Sequence, residues 1–134
     1  MPNWCENTLI IEGEGSMLIK WSEENKNKKT DDELSFQAGV PIENWSRELA
    51  IEKWGTKWEP TEISISSAYA NNNEQGQIIY DFLTAWAPPT EWLKTISKKW
   101  PDLVFRLKYD EPGIGFFGVA KAINGIFEDK CIGE

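Results

Sequence analysis

The stretch Gln77-Ile78-Ile79-Tyr80-Asp81-Phe82-Leu83-Thr84-Ala85-Trp86, followed by Ala87-Pro88-Pro89-Thr90, decides the fold. Its period-2 alternation and its aliphatic and aromatic content predict the longest strand of the chain. Ile78, Tyr80, Phe82, Thr84 and Trp86 share one side; Ile79, Leu83 and Ala85 share the other, interrupted by Asp81. Apolar residues on both sides predict a central strand covered on both faces, at least in part. Pro88 and Pro89 stop it, because neither can donate to a ladder. Thr90 is placed to cap the helix that follows. Trp92, Leu93, Ile96 and Trp100 form one stripe of that helix, and Lys98 and Lys99 suit its C-terminal dipole.

Downstream, Leu103, Phe105, Leu107 and Tyr109 alternate with Arg106 and Lys108, an amphipathic strand. Glu111-Pro112-Gly113 reads as a turn, with Asp110 and Glu111 solvated. Phe117, Val119 and Ile123 alternate along a further strand. Asn124-Gly125 is the strongest hairpin signal, and Ile126 and Phe127 begin the return. Upstream, Ile63 and Ile65 alternate with Ser64 and Ser66, a half-buried strand, and Asn71-Asn72-Asn73 through Gly76 is a polar turn. Thr8-Leu9-Ile10-Ile11, closed by Gly13 and Gly15, is a first strand. Ser16 is placed as the N-cap of a helix carrying Met17, Leu18 and Trp21. Residues 26–33 are polar and charged, a surface loop. Phe36 and Val40 tack the next segment to the core. Residues 43–54 read as a helix with Trp45, Leu49, Ala50 and Trp54 on one stripe, ended by Gly55.

With the segment at about residues 27–60 set aside, the order is β-α-β-β-α-β. That is an α+β, ferredoxin-like split β-α-β plan. It predicts an antiparallel sheet with the helices on one face, a helical insert after the first helix and an extra C-terminal strand. All 134 residues are expected to form one domain.

Composition removes many functions. Lys+Arg number 14 and Asp+Glu 22, for a net charge of −8, and there is no His. Without His there is no Ser-His-Asp triad, Cys-His pair or His-ligated metal. The acidic balance speaks against a general phosphate-backbone binder. No apolar run approaches the roughly 18 residues of a membrane span. The start carries no basic, then apolar, export signal. Cys5 and Cys131 are therefore expected as reduced thiols in a cytoplasmic protein. No metal, cofactor or catalytic set is indicated: Cys5 has no visible base, and Asp81 is expected to point outward.

Four strings exceed what a generic core requires: Met1-Pro2-Asn3-Trp4-Cys5-Glu6-Asn7, Trp54-Gly55-Thr56-Lys57-Trp58, Thr84-Ala85-Trp86-Ala87-Pro88-Pro89, and Tyr109-Asp110-Glu111-Pro112-Gly113 with Phe116 and Gly118. In this order they resemble the YubB-like ferredoxin-like domain family, small proteins of unknown function from bacteriophages and conjugative plasmids. The family more often has Asn at Lys53 and Ser at Ala87, and the loop at residues 26–33 is peculiar to this chain. The resemblance implies the fold and a mobile genetic element in a bacterial host cell. It implies no catalytic residues.

Of the eight tryptophans, Trp21, Trp45, Trp92 and Trp100 lie on helical stripes and read as core. Trp4, Trp54, Trp58 and Trp86 lie at element ends, where loops build sites. With Asn7, Thr56, Lys57 and Glu111 they are the candidate binding residues. Lys57 is expected over an indole face; Gly55-Thr56-Lys57 is not a Walker loop. Two roles follow. One is a non-enzymatic anti-defence protein, of anti-CRISPR or similar type, whose acidic surface binds a basic, nucleic-acid-handling host protein. The other is a protein that sequesters a small nucleotide signal in a Trp-lined pocket.

Overall fold

The computed structural model describes residues 3–65 and 74–133. The elements run β1 (Trp4–Glu14), α1 (Gly15–Glu24), α2 (Phe36–Gly39), α3 (Arg47–Trp54), β2 (Thr61–Ile65), β3 (Gln75–Ala85), α4 (Thr90–Lys99), β4 (Val104–Glu111), β5 (Phe116–Ile123) and β6 (Ile126–Gly133). One antiparallel sheet has the order β2-β3-β1-β4-β5-β6. β1 lies inside it, with Leu9 opposite Tyr80 on one side and Leu107 on the other. The first four strands of the chain follow the split β-α-β plan. Both β5 and β6 extend the sheet beyond it, where one extra strand was expected. The Asn124-Gly125 turn has φ of 54° and 78°, a type I′ geometry matched to strand twist, and it launches a full return strand. Ser66, the Asn71-Asn72-Asn73 turn and the Met1-Pro2 start lie outside the described residues.

Alternation decides which face the helices cover. Cys5, Leu9 and Ile11 of β1, Ile78, Tyr80 and Phe82 of β3, and Phe105, Leu107 and Tyr109 of β4 are all buried on one face. Over them lie Trp21 of α1 and Trp92 of α4, with Trp100 just after α4. Trp21 meets Trp92, Trp100 and Phe105 in edge-to-face contacts, at centroid distances of 6.0, 5.9 and 5.3 Å. Among the described residues, no helix lies on the opposite face. Ile79, Asp81 and Leu83 of β3 are half-buried there, so among the described residues the second face is covered only in part. Trp86 falls past the end of β3 with φ 70°, so it leaves the side shared by Ile78 and Tyr80.

The insert is anchored by a few specific contacts. Ser35 caps α2, accepting from the Ala38 amide, and Phe36 and Val40 are buried as expected. Glu59 accepts from the Phe36 amide (2.6 Å), the Gln37 amide (3.1 Å) and the Ser35 hydroxyl (3.0 Å). Burial raises the Glu59 carboxyl above its ordinary range, and these hydrogen bonds oppose the rise. α3 begins at Arg47, because Ser46 caps it by accepting from the Leu49 amide at 3.1 Å. Trp45 thus lies before the helix and is 48% exposed, so it does not belong to the core stripe. Gly55 ends α3 with φ 88°, as expected of a C-terminal glycine.

Local caps and one face differ from expectation. α1 is preceded by Glu14, and the Ser16 hydroxyl, already in the helix, donates to the Glu14 carboxylate at 2.8 Å. Thr90 is likewise the first residue of α4, after Pro89, and makes no cap bond. In β5, Gly118, Ala120 and Ala122 face the helices, while Phe117, Val119 and Ile123 are exposed on the open face. Space requires this choice: a Cβ at Gly118 would collide with the Tyr109 ring and the Lys130 carbonyl.

Candidate functional site

The eight residues singled out in the sequence divide into four on the surface and four beneath it. Trp4 and Trp58 touch, with ring centroids 6.2 Å apart and planes at 45°. The Lys57 ammonium lies 4.6 Å from the Trp58 centroid and 5.7 Å from that of Trp86, the expected cation–π arrangement. Trp58 and Trp86 are each 40% exposed, so this is an aromatic shelf open to solvent.

The other four are structural supports. Trp54 is buried against Phe36, and its Nε1 donates to the Val40 carbonyl at 2.9 Å. Thr56 is buried and donates to the Ala85 carbonyl at 2.8 Å, tying the residue after α3 to the end of β3. Asn7 is buried on the helix-covered face. Its Nδ2 donates to the Cys5 carbonyl at 3.1 Å and to the Thr84 hydroxyl at 2.9 Å, and that hydroxyl donates to the Ala87 carbonyl at 2.7 Å. Glu111 is fully buried rather than solvated, and one carboxylate oxygen accepts from the Gly113 amide at 2.8 Å. Trp54, Thr56 and Asn7 brace the segments that carry the shelf, Glu111 holds the turn between β4 and β5, and all four side chains are buried.

A cleft of about 430 Å³ opens on the helix-free face of β1, β3 and β4. Trp4 and Glu6 are alternate residues of β1, so shelf and cleft share a face. The cleft is lined by the carboxylates of Glu6, Glu62, Asp81 and Asp110, with Lys108 the one cation among its lining residues and Leu83 an apolar wall. Glu6 stands opposite Leu83 on β3 and opposite Asp110 on β4. Thr8 stands opposite Asp81 and Lys108, and its hydroxyl donates to the Asp81 carboxylate at 2.8 Å. Asp81 points outward, as expected. Sequence patterning does not single out Glu6, Glu62 or Lys108, and it places Asp110 in a turn, whereas Asp110 lies in β4. A usable signal existed. Once β1 is placed between β3 and β4, the strand alternation alone puts Glu6, Asp81, Lys108 and Asp110 on one face.

Cys5 is buried, and its thiol is pushed up to about 12, chiefly by burial, with the Thr84 hydrogen bond opposing. At neutral pH it stays protonated and is a poor nucleophile. Cys131 is exposed on β6, with β4 and β5 between it and β1. Iodoacetamide at about pH 8 is therefore expected to modify Cys131 alone in the native protein, and Cys5 only after denaturation. Peptide mass mapping checks this; native alkylation of Cys5 would contradict it. Among the described residues, no three acidic or cysteine side chains converge closely enough to hold a metal ion. No helix among them is long and apolar enough to cross a membrane.

A family model described as a ferredoxin-like domain in Api92-like protein matches residues 53–134, from the end of α3 through β6. The crystal structure of a protein api92 from Yersinia pseudotuberculosis is similar, with a TM-score of 0.53 and 21% identity over 66% of this chain. The chain spans 30% of that protein's length, and a likeness at this identity speaks for the fold alone. No curated protein matches the chain.

Proposed function

The chain belongs to the family of the ferredoxin-like domain in Api92-like protein, and from that premise we propose that it is a non-enzymatic binding protein whose open sheet face takes a basic segment of a protein partner. The observation that carries this is Glu6 set directly against Asp110, with Glu62 and Asp81 in the same cleft. Like charges directly opposite on a sheet are destabilising. A Lys or Arg side chain entering between them offsets that cost. Arginine suits the place best, since its planar fork matches carboxylates and its face stacks on an indole such as Trp4 or Trp58. The net charge of −8 adds attraction at longer range.

The finer assignments belong to the same proposal. The chain is a YubB-like accessory protein of a bacteriophage or conjugative plasmid, acting in the cytoplasm of the bacterial host. Its partner is a host defence factor, a basic complex that handles nucleic acid, of CRISPR or similar type. Binding blocks that factor. Sequestration of a nucleotide signal has less support, because Trp54 and Thr56 are turned into the fold and the Lys57 ammonium already lies against two indoles. Direct nucleic-acid binding is opposed by the charge of the cleft itself.

Neutralising the opposed pair provides the test. Glu6→Gln/Asp110→Asn is expected to stabilise the protein by about 0.2–1 kcal/mol. The same variant is expected to weaken binding of a synthetic Arg-rich peptide about tenfold, read by tryptophan fluorescence. Glu23→Gln/Glu24→Gln on α1, away from the cleft, controls for general charge. Equal losses in the two variants would reject the cleft as the site. In defence-positive cells, the wild-type chain is expected to restore phage plating and the cleft variant to fail. No protection by the wild type would reject the anti-defence role.

A further inference from the structure

β6 is an eight-residue edge strand, paired with β5 on one side and, among the described residues, with nothing on the other. In a two-residue type I′ hairpin the flanking residues, here Ile123 and Ile126, form the hydrogen-bonded pair. The backbone groups of Ile126, Glu128, Lys130 and Ile132 therefore point at β5. Those of Phe127, Asp129 and Cys131 point out of the sheet, toward any strand that docks there. The open face of β6 carries the side chains Ile126, Glu128, Lys130 and Ile132, with Ile126 69% and Ile132 60% exposed.

We propose that β6 pairs antiparallel with β6 of a second copy of this chain, about a two-fold axis at Asp129, so that two six-stranded sheets become one. Outward-pointing residues pair only with outward-pointing residues, which limits the axis to a whole residue position. Axes at Glu128, Asp129 and Lys130 each set one like-charged pair face to face, but only the axis at Asp129 also sets two opposite-charge pairs. An axis at Phe127 or Cys131 leaves much of the strand unpaired. At Asp129, Ile126 faces Ile132 of the second copy and Glu128 faces Lys130, each contact occurring twice. Glu128 then sits between that Lys130 and its own Lys121, whose ammonium is 3.9 Å away. Ile123 and Ile126 continue across the junction into Ile132 and Phe117 of the second copy. That apolar row gives the exposed side of β5 and β6 a shared purpose. The two Asp129 carboxylates meet on the other face. Each already accepts from its own Tyr109 hydroxyl at 2.7 Å, which draws it back over its own sheet.

Charge on an edge strand also serves to keep proteins apart, so the test separates that role from pairing. Sedimentation equilibrium of the full chain is expected to show a dimer; a monomer up to the highest soluble concentration would overturn the proposal. Glu128→Lys and Lys130→Glu are each expected to raise the dimer dissociation constant about tenfold or more. Mixing the two variants restores both opposite-charge pairs and is expected to restore the dimer. A mixture no tighter than its components would overturn the register. Asp129→Asn keeps an acceptor for Tyr109 and removes the like-charged pair. It is expected to tighten the dimer several-fold, and an unchanged or weaker dimer would argue against the axis.

Discussion

Replacing Trp21 with Ala is expected to remove about 3–5 kcal/mol of unfolding free energy. The indole is fully buried and joins α1 to α4 and to β4 through Trp92, Trp100 and Phe105. Removing the ring leaves a space bounded by those three rings, and the cost of that cavity adds to the lost transfer energy. Aromatic edge-to-face pairs contribute further, at about 0.5–1.5 kcal/mol each beyond area. For a domain whose total stability is on the order of 5–15 kcal/mol, the loss is a large fraction. Chemical denaturation followed by far-UV circular dichroism checks it. Trp45→Ala is the control, since Trp45 is an exposed indole; it is expected to change stability by less than about 0.5 kcal/mol. A Trp21→Ala loss below about 1 kcal/mol would contradict the packing account.

Trp54→Ala is expected to cost a similar amount, about 3–5 kcal/mol, but to act in a different place. Its ring packs on Phe36 and its Nε1 donates to the Val40 carbonyl, so it holds α2 from the end of α3. Without it, Phe36 loses a face and the Val40 carbonyl loses its donor. The insert is then expected to open before the sheet does. Limited proteolysis followed by mass mapping checks this, with first cuts between residues 26 and 53. Trp54→Phe keeps most of the packing and loses only the hydrogen bond, for about 1–2 kcal/mol. First cuts within β3 or β4 would show that the insert does not depend on this residue.

Trp54 also shows where the sequence could be read and where it could not. Periodicity placed the strands and the two main helices, because one face of each is buried and the pattern repeats. Trp54 was legible as a helical stripe residue and again as a candidate site residue, and only tertiary contact chose between them. Trp45 failed as a core residue because the Ser46 cap starts α3 at Arg47, four residues later than periodicity suggested. β5 had its bulky residues on the exposed face because Gly118 must lie against Tyr109, a constraint set by a neighbouring strand. The acidic cleft was harder to see. Glu6, Asp81 and Asp110 are distant in sequence and ordinary one at a time, and their meaning lies in the strand order. The tryptophan shelf was half legible: Lys57 over Trp58 follows from local sequence, whereas Trp4 joins them only through the sheet.

The internal position of β1 governs how the chain comes together in time. Its two partners, β3 and β4, lie far along the chain: Trp4 pairs with Ala85 and Glu6 with Asp110. During synthesis β1 and α1 leave the ribosome before either of these partners. β3 emerges next to an incomplete core, and only the arrival of β4 lets both sides of β1 close. Every such closure costs loop entropy before it returns contact energy, so the domain is expected to fold more slowly than a helical bundle of its size. Residues 53–134 alone contain β3 and β4 but not the strand that lies between them. A truncated chain in that condition exposes the edges of β3 and β4 that β1 would cover, and supplying β1 is the step that ends this exposure to aggregation.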